Sequence, residues 1–569
     1  MQANKNKRDS YIKWIIIGLV VAWLLLAFVV IPNINLLRLT LLKDGSLDLS
    51  PVSNVLKSDR VRKSLFNSLL IGLLVAVTTN IIGIFQVLVL DYFKVKGRKW
   101  LNLMYHLPLI INGMVLVLSY NYLIGTRGII TTNLQKTMSG LPADWFLGLP
   151  AVLLQLTFSN TMYHITFVRA ALNEIDYQTV EAARNMGSSP GRILKRVVLP
   201  NILPSILAAT ILNFSMGITV FASSKILGGP EFETLNPLIY TFSQSKNTKN
   251  YAVILSVFLA IATAIVLLIF NNIEKKRNFV ATGKTRTRLQ RQEIQNPVAR
   301  VIITIFAHLI AIIQLIPVLF ILIYSFMPYE DLAQGKINPA NFSLNNYKLA
   351  FGSPSGLKPV ATSSIYSLLG ALISVAIVVL FARWITKYRN KWTSALESTV
   401  MIPWFIPSTL LALGYLFTFN TSKNPFVFGK VLTGTTVILL IAYVVLRLPT
   451  NLRVIKAAFL SLNDSLEEAS KNMGASDFTT FRRVIFPILS PTLKSSFLLS
   501  FIGLFAEFSV TVFLFHPLHM PLGIVINNAT NTEASADAVM LSFVYAIIIM
   551  LFSGATTYLV YGRGNKKNA

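Results

Sequence analysis

Uncharged apolar runs recur along the whole chain, separated by shorter polar and basic segments. In the first half they cover Trp14 to Ile31, Leu65 to Leu90, Leu101 to Ile124, Phe146 to Val168, Asn201 to Ser224 and Tyr251 to Ile273. In the second half they cover Val301 to Met327, Ala361 to Ala382, Ser398 to Ser422, Val431 to Leu446, Ser495 to Met520 and Ala538 to Tyr561, the eleventh interrupted by Glu507. A helix crosses the hydrocarbon core with about 20 apolar residues. The pattern therefore predicts an all-α integral membrane protein of about 12 transmembrane helices, arranged as two homologous six-helix halves. Phe, Tyr and Trp are scattered through the runs rather than alternating in short strands, which argues against a barrel. The first run is long and no convincing small-residue cleavage site follows it, so it reads as a true span.

Composition agrees: 54% of the 569 residues are hydrophobic, 13% are charged, and the mean hydropathy is +0.61. The net charge of +28 follows from basic residues placed at the cytoplasmic ends of spans, and no nucleic-acid partner is expected. Lys5, Lys7, Arg8 and Lys13 precede the first run, and Lys94, Lys96, Arg98 and Lys99 follow the second. Arg383, Lys387, Arg389 and Lys391 follow the eighth, and Arg563, Lys566 and Lys567 close the chain. These clusters share one side if both termini are cytoplasmic, although the loop after the first span is also basic. The absence of cysteine excludes disulfides, thiolate metal sites, iron–sulfur clusters and a cysteine nucleophile.

Between Asn271 and Arg300 the chain turns polar and offers no apolar face to bury. This divides it into a first membrane domain (1–272), a linker expected on the cytoplasmic side (273–300) and a second membrane domain (301–569). The halves share one segment. Glu181-Ala-Ala-Arg-Asn-Met-Gly187 is matched by Glu468-Ala-Ser-Lys-Asn-Met-Gly474, and the register continues without a gap to Arg196-Val197 and Arg483-Val484. Pro200 and Pro204 then meet Pro487 and Pro491; backwards, Arg169-Ala170-Ala171 meets Lys456-Ala457-Ala458. Weaker similarity equates Ser68-Leu69-Leu70 with Ser367-Leu368-Leu369 and Pro108 with Pro403.

The repeated segment reads as a short surface helix, started by Asp176 or Asp464 and stopped by a left-handed glycine at 187 or 474. Small Ala side chains on one face leave room for another surface. The basic stretch Arg192, Lys195 and Arg196 is expected to lie along the membrane face, with Pro200 opening the next span.

Glu-Ala-Ala, three residues, Gly, nine residues and an aliphatic-x-Leu-Pro ending resembles the EAA loop of bacterial ABC importer permeases. Glu181, Ala182, Ala183, Gly187, Val197, Leu199 and Pro200 fit it, as do Glu468, Ala469, Gly474, Val484 and Pro487, with Ser470 for the second Ala and Phe486 for Leu. The resemblance implies a type I importer permease fold in the bacterial plasma membrane, with the two loops coupling to two copies of a separate ABC ATPase. It implies no catalysis and no cofactor in this chain, ATP and Mg being bound by the partner; consistently, the chain has no G-x-x-x-x-G-K-[ST] phosphate loop. It also implies an extracytoplasmic substrate-binding protein. The fused arrangement is most similar to the ferric-iron permease group, whose relatives import thiamine, phosphonates, hexose phosphates or spermidine. The competing class is a 12-span ion-coupled carrier, which ordinarily buries ionisable residues at mid-membrane.

Glu507 is the clear ionisable residue within a run and is the candidate for the substrate pathway, a carboxylate in a span being a functional hypothesis by default. Its aligned position in the first half is Val220. His516 and His519 have i, i+3 spacing, but Pro517 breaks the helix that would aim them together, so no metal site is expected. Gln86, Asn112, Asn121 and Asn213 line a polar path or pair between helices.

Overall fold

The computed structural model describes residue 16 and residues 18–43, 46–48, 50–111, 113–245, 247–275, 289–422, 424–531 and 533–562. The apolar runs become helices because a backbone surrounded by hydrocarbon must satisfy its own hydrogen bonds. The first half begins with α1 (Gly18–Leu39), followed by a small hairpin of β1 (Leu42–Lys43) and β2 (Ser46–Leu47). Next come α2 (Asp59–Tyr92), α3 (Arg98–Tyr105), α4 (Gly113–Thr137) and α5 (Leu149–Asn160). The short α6 (Tyr177–Asn185) leads into α7 (Pro190–Ile218), then α8 (Ala222–Leu227), α9 (Leu235–Ser243) and α10 (Lys249–Lys275).

The second half repeats the plan. α11 (Pro297–Phe326) is followed by α12 (Pro354–Lys387), α13 (Lys391–Phe405), α14 (Ser408–Thr418) and α15 (Thr436–Leu460). Then come α16 (Asp464–Asn472), α17 (Asp477–Phe505), α18 (Thr511–Leu514), α19 (Leu522–Ala529) and α20 (Ala536–Val560).

Among the described residues, 10 helices are long and apolar enough to span a membrane, or up to 11 if the pair α13 and α14, bent by 104°, is one span. The fourth expected run is split, because α5 ends at Asn160 and the chain turns at Thr161 before winding again from Met162. Its second-half counterpart α15 is unbroken. It extends past the expected end at Leu446, since Arg447 interrupts the apolar run without ending the helix.

The fifth and eleventh spans begin well before their expected starts, at Pro190 and Asp477. The basic stretch with Arg192, Lys195 and Arg196 is therefore the opening of α7, not a separate helix on the membrane face. Pro200 lies inside this helix, where an ordinary turn would set its ring against the carbonyl four residues back. A π-helical turn relieves the clash in both halves: Leu199 N–H reaches Leu194 O, and Phe486 N–H reaches Phe481 O ahead of Pro487.

The first helix of each half packs on the other half. Tyr415 Oη in α14 donates to Phe28 O of α1 at 2.8 Å, and Gly414 leaves room for Pro32. Reciprocally, α11 lies on the first half: Tyr324 Oη donates to Tyr122 O at 3.1 Å, and Tyr105 Oη to Ala307 O at 2.9 Å. Buried hydroxyls need acceptors, so these bonds fix both the depth and the rotation of the crossing helices.

The linker is not wholly without buried apolar surface. Its described end docks beside α2: Gln292 N–H donates to Tyr92 O at 2.7 Å, Lys94 N–H to Gln292 O at 2.9 Å, and Leu289 is buried in the cluster that holds Val180 of α6. Pro297, placed in the linker by sequence, already opens α11. Asn296 caps it, accepting from Val298 N at 2.9 Å and Ala299 N at 3.2 Å.

Candidate functional site

α6 and α16 are built alike. Asp176 accepts from Gln178 N and Asn463 from Ser465 N, each at 3.1 Å, so the second cap is Asn463, with Asp464 the first helical residue. The register explains this, because Asn463 aligns with Asp176. Both helices end on a left-handed glycine, Gly187 at φ +79° and Gly474 at φ +81°. Ser188 N–H then closes on Ala183 O and Ala475 N–H on Ser470 O, each at 3.1 Å.

Glu181, Ala182, Glu468 and Ala469 are exposed, and Met186 and Met473 at the tips are 79% and 81% exposed. Ala183 and Ser470 face inward. The mild departure Ser470 has a cause: its hydroxyl bonds Thr480 Oγ1 at 2.9 Å, where the first half sets Ala183 with Ile193, both buried. Pro200 and Pro487 lie two residues into the α-helical stretch after the π turns.

At mid-molecule each half breaks. α7 gives way to α8 through Thr219–Phe221, and α17 to α18 through Ala506–Val510. The repeat register carries one residue past Val220 and Glu507 and equates Phe221 with Phe508. Their rings meet across the two halves, centroids 5.2 Å apart; Phe513 packs 6.2 Å from Phe221 and 5.4 Å from Tyr240. This aromatic pair was legible as a matched Phe one step beyond the aligned positions, and sequence reasoning missed it.

A cavity of about 470 Å³ lies against this pair, walled by both halves: Asn160, Phe221 and Thr263 from one, Trp404, Glu507 and Phe508 from the other. A second cavity of about 1020 Å³, walled by Arg60, Lys225, Glu233 and Tyr240 among others, opens at the end of the molecule where α2 begins, opposite the repeated loops.

Glu507 therefore stands on a cavity wall, in the break after α17 rather than within a helix. Its carboxylate caps α18, accepting from Val510 N at 3.1 Å, Thr511 N at 3.1 Å and Thr511 Oγ1 at 2.7 Å. Tyr443 Oη bonds the same Thr511 Oγ1 at 2.8 Å, which ties α15 to the break. One turn further along α15, Arg447 packs its guanidinium on Gly503, where a Cβ would have to push it aside. Arg447 is a second intramembrane charge, hidden from sequence reasoning because it closes an apolar run.

Gln86 and Asn213 are not on either cavity wall; they pair between helices with Gln314 at 3.2 Å and Thr79 at 2.8 Å. Asn121 also lies off both walls, and Asn112 lies outside the described residues. A turn at Pro517 does bring His516 and His519 together, rings 5.5 Å apart, yet His516 Nδ1 accepts Leu518 N–H. Among the described residues no group of three His, Cys, Asp or Glu is placed to hold a metal. The basic clusters at residues 94–99 and 383–391 lie at the end carrying α6 and α16: Arg98 and Arg169 share Asp91, and Arg383 pairs with Glu467. The terminal clusters lie outside the described residues.

The family described as binding-protein-dependent transport system inner membrane component matches residues 14–277 and 379–563, one stretch in each half. The chain belongs to that family. This permease is 35% identical to the probable ABC transporter permease protein y4fN of Sinorhizobium fredii, over 97% of its own chain and 96% of the relative. It is 21% identical to the ferric transport system permease protein FbpB of Actinobacillus pleuropneumoniae, covering 88% of this chain and 72% of the relative. Among solved structures it matches a bacterial ABC transporter involved in the import of the acidic polysaccharide alginate, with a TM-score of 0.40, 17% identity, and 49% of this chain against 99% of that one. The protein is a multi-pass membrane subunit of an ABC importer, with two related halves in one chain, and a transport subunit rather than an enzyme.

Proposed function

We propose that this permease imports ferric iron across the bacterial plasma membrane, with α6 and α16 as the docking points for two copies of a separate ATPase that binds ATP and Mg. The observation that carries the coupling role is the same capped, glycine-closed helix built twice at one end, its Glu and Ala face and its Met tip left uncovered. That end is cytoplasmic in this reading, as are both termini, and basic residues cluster there as the positive-inside tendency requires. An extracytoplasmic binding protein delivers substrate to the opposite end, where the larger cavity opens. Iron is supported by the relatives named as ferric permeases, 21–23% identical over 88% of this chain. Relatives named for 2-aminoethylphosphonate and for spermidine and putrescine match 38% and 46% of this chain, so those substrates are the alternatives, with thiamine and hexose phosphate behind them.

The smaller cavity is the translocation pathway and Phe221 with Phe508 its closure. Glu507 belongs to the pathway wall and holds the backbone of the break through its cap. Movement of α16 is passed along α15, through Tyr443 and Thr511, to that cap.

Coupling is tested with Gly187→Val and Gly474→Val. A Cβ meets nothing within 4 Å at either site, so the strain is confined to a positive φ that valine resists. ATP-driven iron uptake into proteoliposomes is expected to fall about ten-fold or more while the chain still inserts. Unchanged uptake and unchanged ATPase stimulation in both variants would remove α6 and α16 from coupling.

A further inference from the structure

Lys225 has no counterpart in the repeat, where the aligned residue is Val512. It lies one turn beyond Phe221 on α8, on the wall of the larger cavity. Its ammonium sits 4.6 Å from the Tyr240 ring centroid and 5.7 Å from that of Phe508, so it touches the aromatic closure from the outer side.

The other charges of that cavity are committed or peripheral. Arg60 is locked to Glu233 by two bonds of 2.7 and 2.9 Å, and Asp59 pairs with Arg62. Lys63 and Glu231 stand exposed at the rim. Lys225 is half-buried, and among the described residues it makes no ion pair and its ammonium no hydrogen bond. Two aromatic faces hold a cation loosely compared with a carboxylate, and they leave its N–H donors without an oxygen acceptor. A charge kept in a membrane protein at that cost, facing a cavity and without a partner, has the chemistry of a ligand site.

We propose that Lys225 is the charge-selecting residue of the outer cavity, and that what reaches the closure carries an anionic oxygen group, a carboxylate or a phosphoryl. A bare multivalent cation would be repelled at this point. For iron the proposal means an anionic ferric complex rather than the free ion; to that extent it rests on the import reading above. An oxyanion that draws the ammonium toward the cavity also lifts it off Phe508, so arrival of the substrate loosens the contact between the halves.

The test uses the full chain assembled with its ATPase in nanodiscs, titrated calorimetrically with citrate and, separately, with inorganic phosphate. The wild type is expected to bind at least one, Lys225→Gln to weaken it about ten-fold or more, and Lys225→Arg to stay within about three-fold. Which anion binds separates a carboxylate from a phosphoryl group. Wild-type protein that binds neither at millimolar concentration, or a Lys225→Gln variant that binds like wild type, overturns the proposal.

A parallel uptake assay with radioactive iron supplied as ferric citrate keeps the two readings apart. Lys225-dependent anion binding without wild-type iron uptake leaves the anion site standing and removes iron. Iron uptake that is undiminished in Lys225→Gln keeps iron and removes the anion site. Co-purification of the ATPase with each variant shows that the assembly is intact.

Discussion

The two repeated loops present nearly the same outer face, yet they are seated in opposite ways. Under α6 the seat is apolar: Val180 is fully buried against the cluster that includes Leu88, Tyr92 and Leu289 of the docked linker. Under α16 the residue at the position of Val180 is Glu467. The register that equates Ser68 with Ser363, both accepting an N–H at 2.8 Å from the matched Leu235 and Leu522, puts Arg383 at Leu88 and Lys387 at Tyr92. Glu467 binds that Arg383, and also Lys387 at 3.4 Å and Lys471 at 3.1 Å. One backbone is thus held by burial in one half and by an ion network in the other. What the halves kept in common is the surface turned outward, which is the surface a partner meets; the support beneath it was free to change so long as each set of side chains was complete.

The sharpest way to break this comparison is to place a carboxylate in the apolar seat. Val180→Glu buries a carboxylate where Leu88 and Tyr92 offer no cation and only the exposed Arg184, at the position of Lys471, stands one turn along, and is expected to cost up to about 3–5 kcal/mol. Thermal unfolding of the detergent-solubilised chain, followed by its ability to retain the ATPase, measures this. A shift no larger than that of an exposed control such as Glu181→Gln would show that the seat is open to water.

The ionic seat answers to pH. Burial would raise the Glu467 carboxyl, but the hydrogen bond and charge of Arg383, with Lys471 and Lys387, bring it down from the ordinary 4.5 to about 2. A carboxyl whose pKa is depressed by folding stabilises fully above its unfolded value, and that contribution drains away as pH falls from about 4.5 towards 2. Because the side chain is 20% exposed, solvent screening leaves about 1–2 kcal/mol. Hydrogen-exchange protection over 464–474, taken relative to the intrinsic exchange rate at each pH, is expected to fall between pH 5 and pH 3 by more than protection over 177–187. Glu467→Gln is expected to show the lower protection already at pH 7 and to lose most of the acid dependence. Equal acid response in both loops would sink the distinction.

How much of this was readable from the chain follows the same divide. Span-length apolar runs and the loop repeat need only local composition and one gap-free register, and both halves were legible from them. Helix ends were not: Pro200 reads as a helix start because proline is tolerated there, and only the π turn lets α7 run through it. Arg447 closed an apolar run that the helix itself ignores. The seats were hidden because Glu467 and Arg383 belong to different blocks of the repeat. The looser match of Ser68 to Ser367 set the α2 block off by one helical turn, and Ser363 restores the register that Pro108 and Pro403 already gave. Phe221 and Phe508 were within reach, one step beyond Val220 and Glu507. Lys225 directly follows Ser224, where the expected span stopped, and nothing local marks it as facing a cavity.

The smallest effect tests whether the seats are matched sets of side chains. Ser470 and Thr480 bond each other in a buried pair, and their counterparts Ala183 and Ile193 are both apolar. Ser470→Ala strands the Thr480 hydroxyl and is expected to cost about 1 kcal/mol, because an orphaned buried polar group loses its partner without regaining water. Thr480→Val alone strands Ser470 by the same argument. The double change Ser470→Ala with Thr480→Val recreates the first-half chemistry and is expected to recover most of either loss, giving a coupling energy near the single-variant cost. Unfolding midpoints for the four proteins close this cycle. Additive losses would mean that the hydroxyls act separately and that Ser470 departs from its repeat partner for a reason unconnected with Thr480.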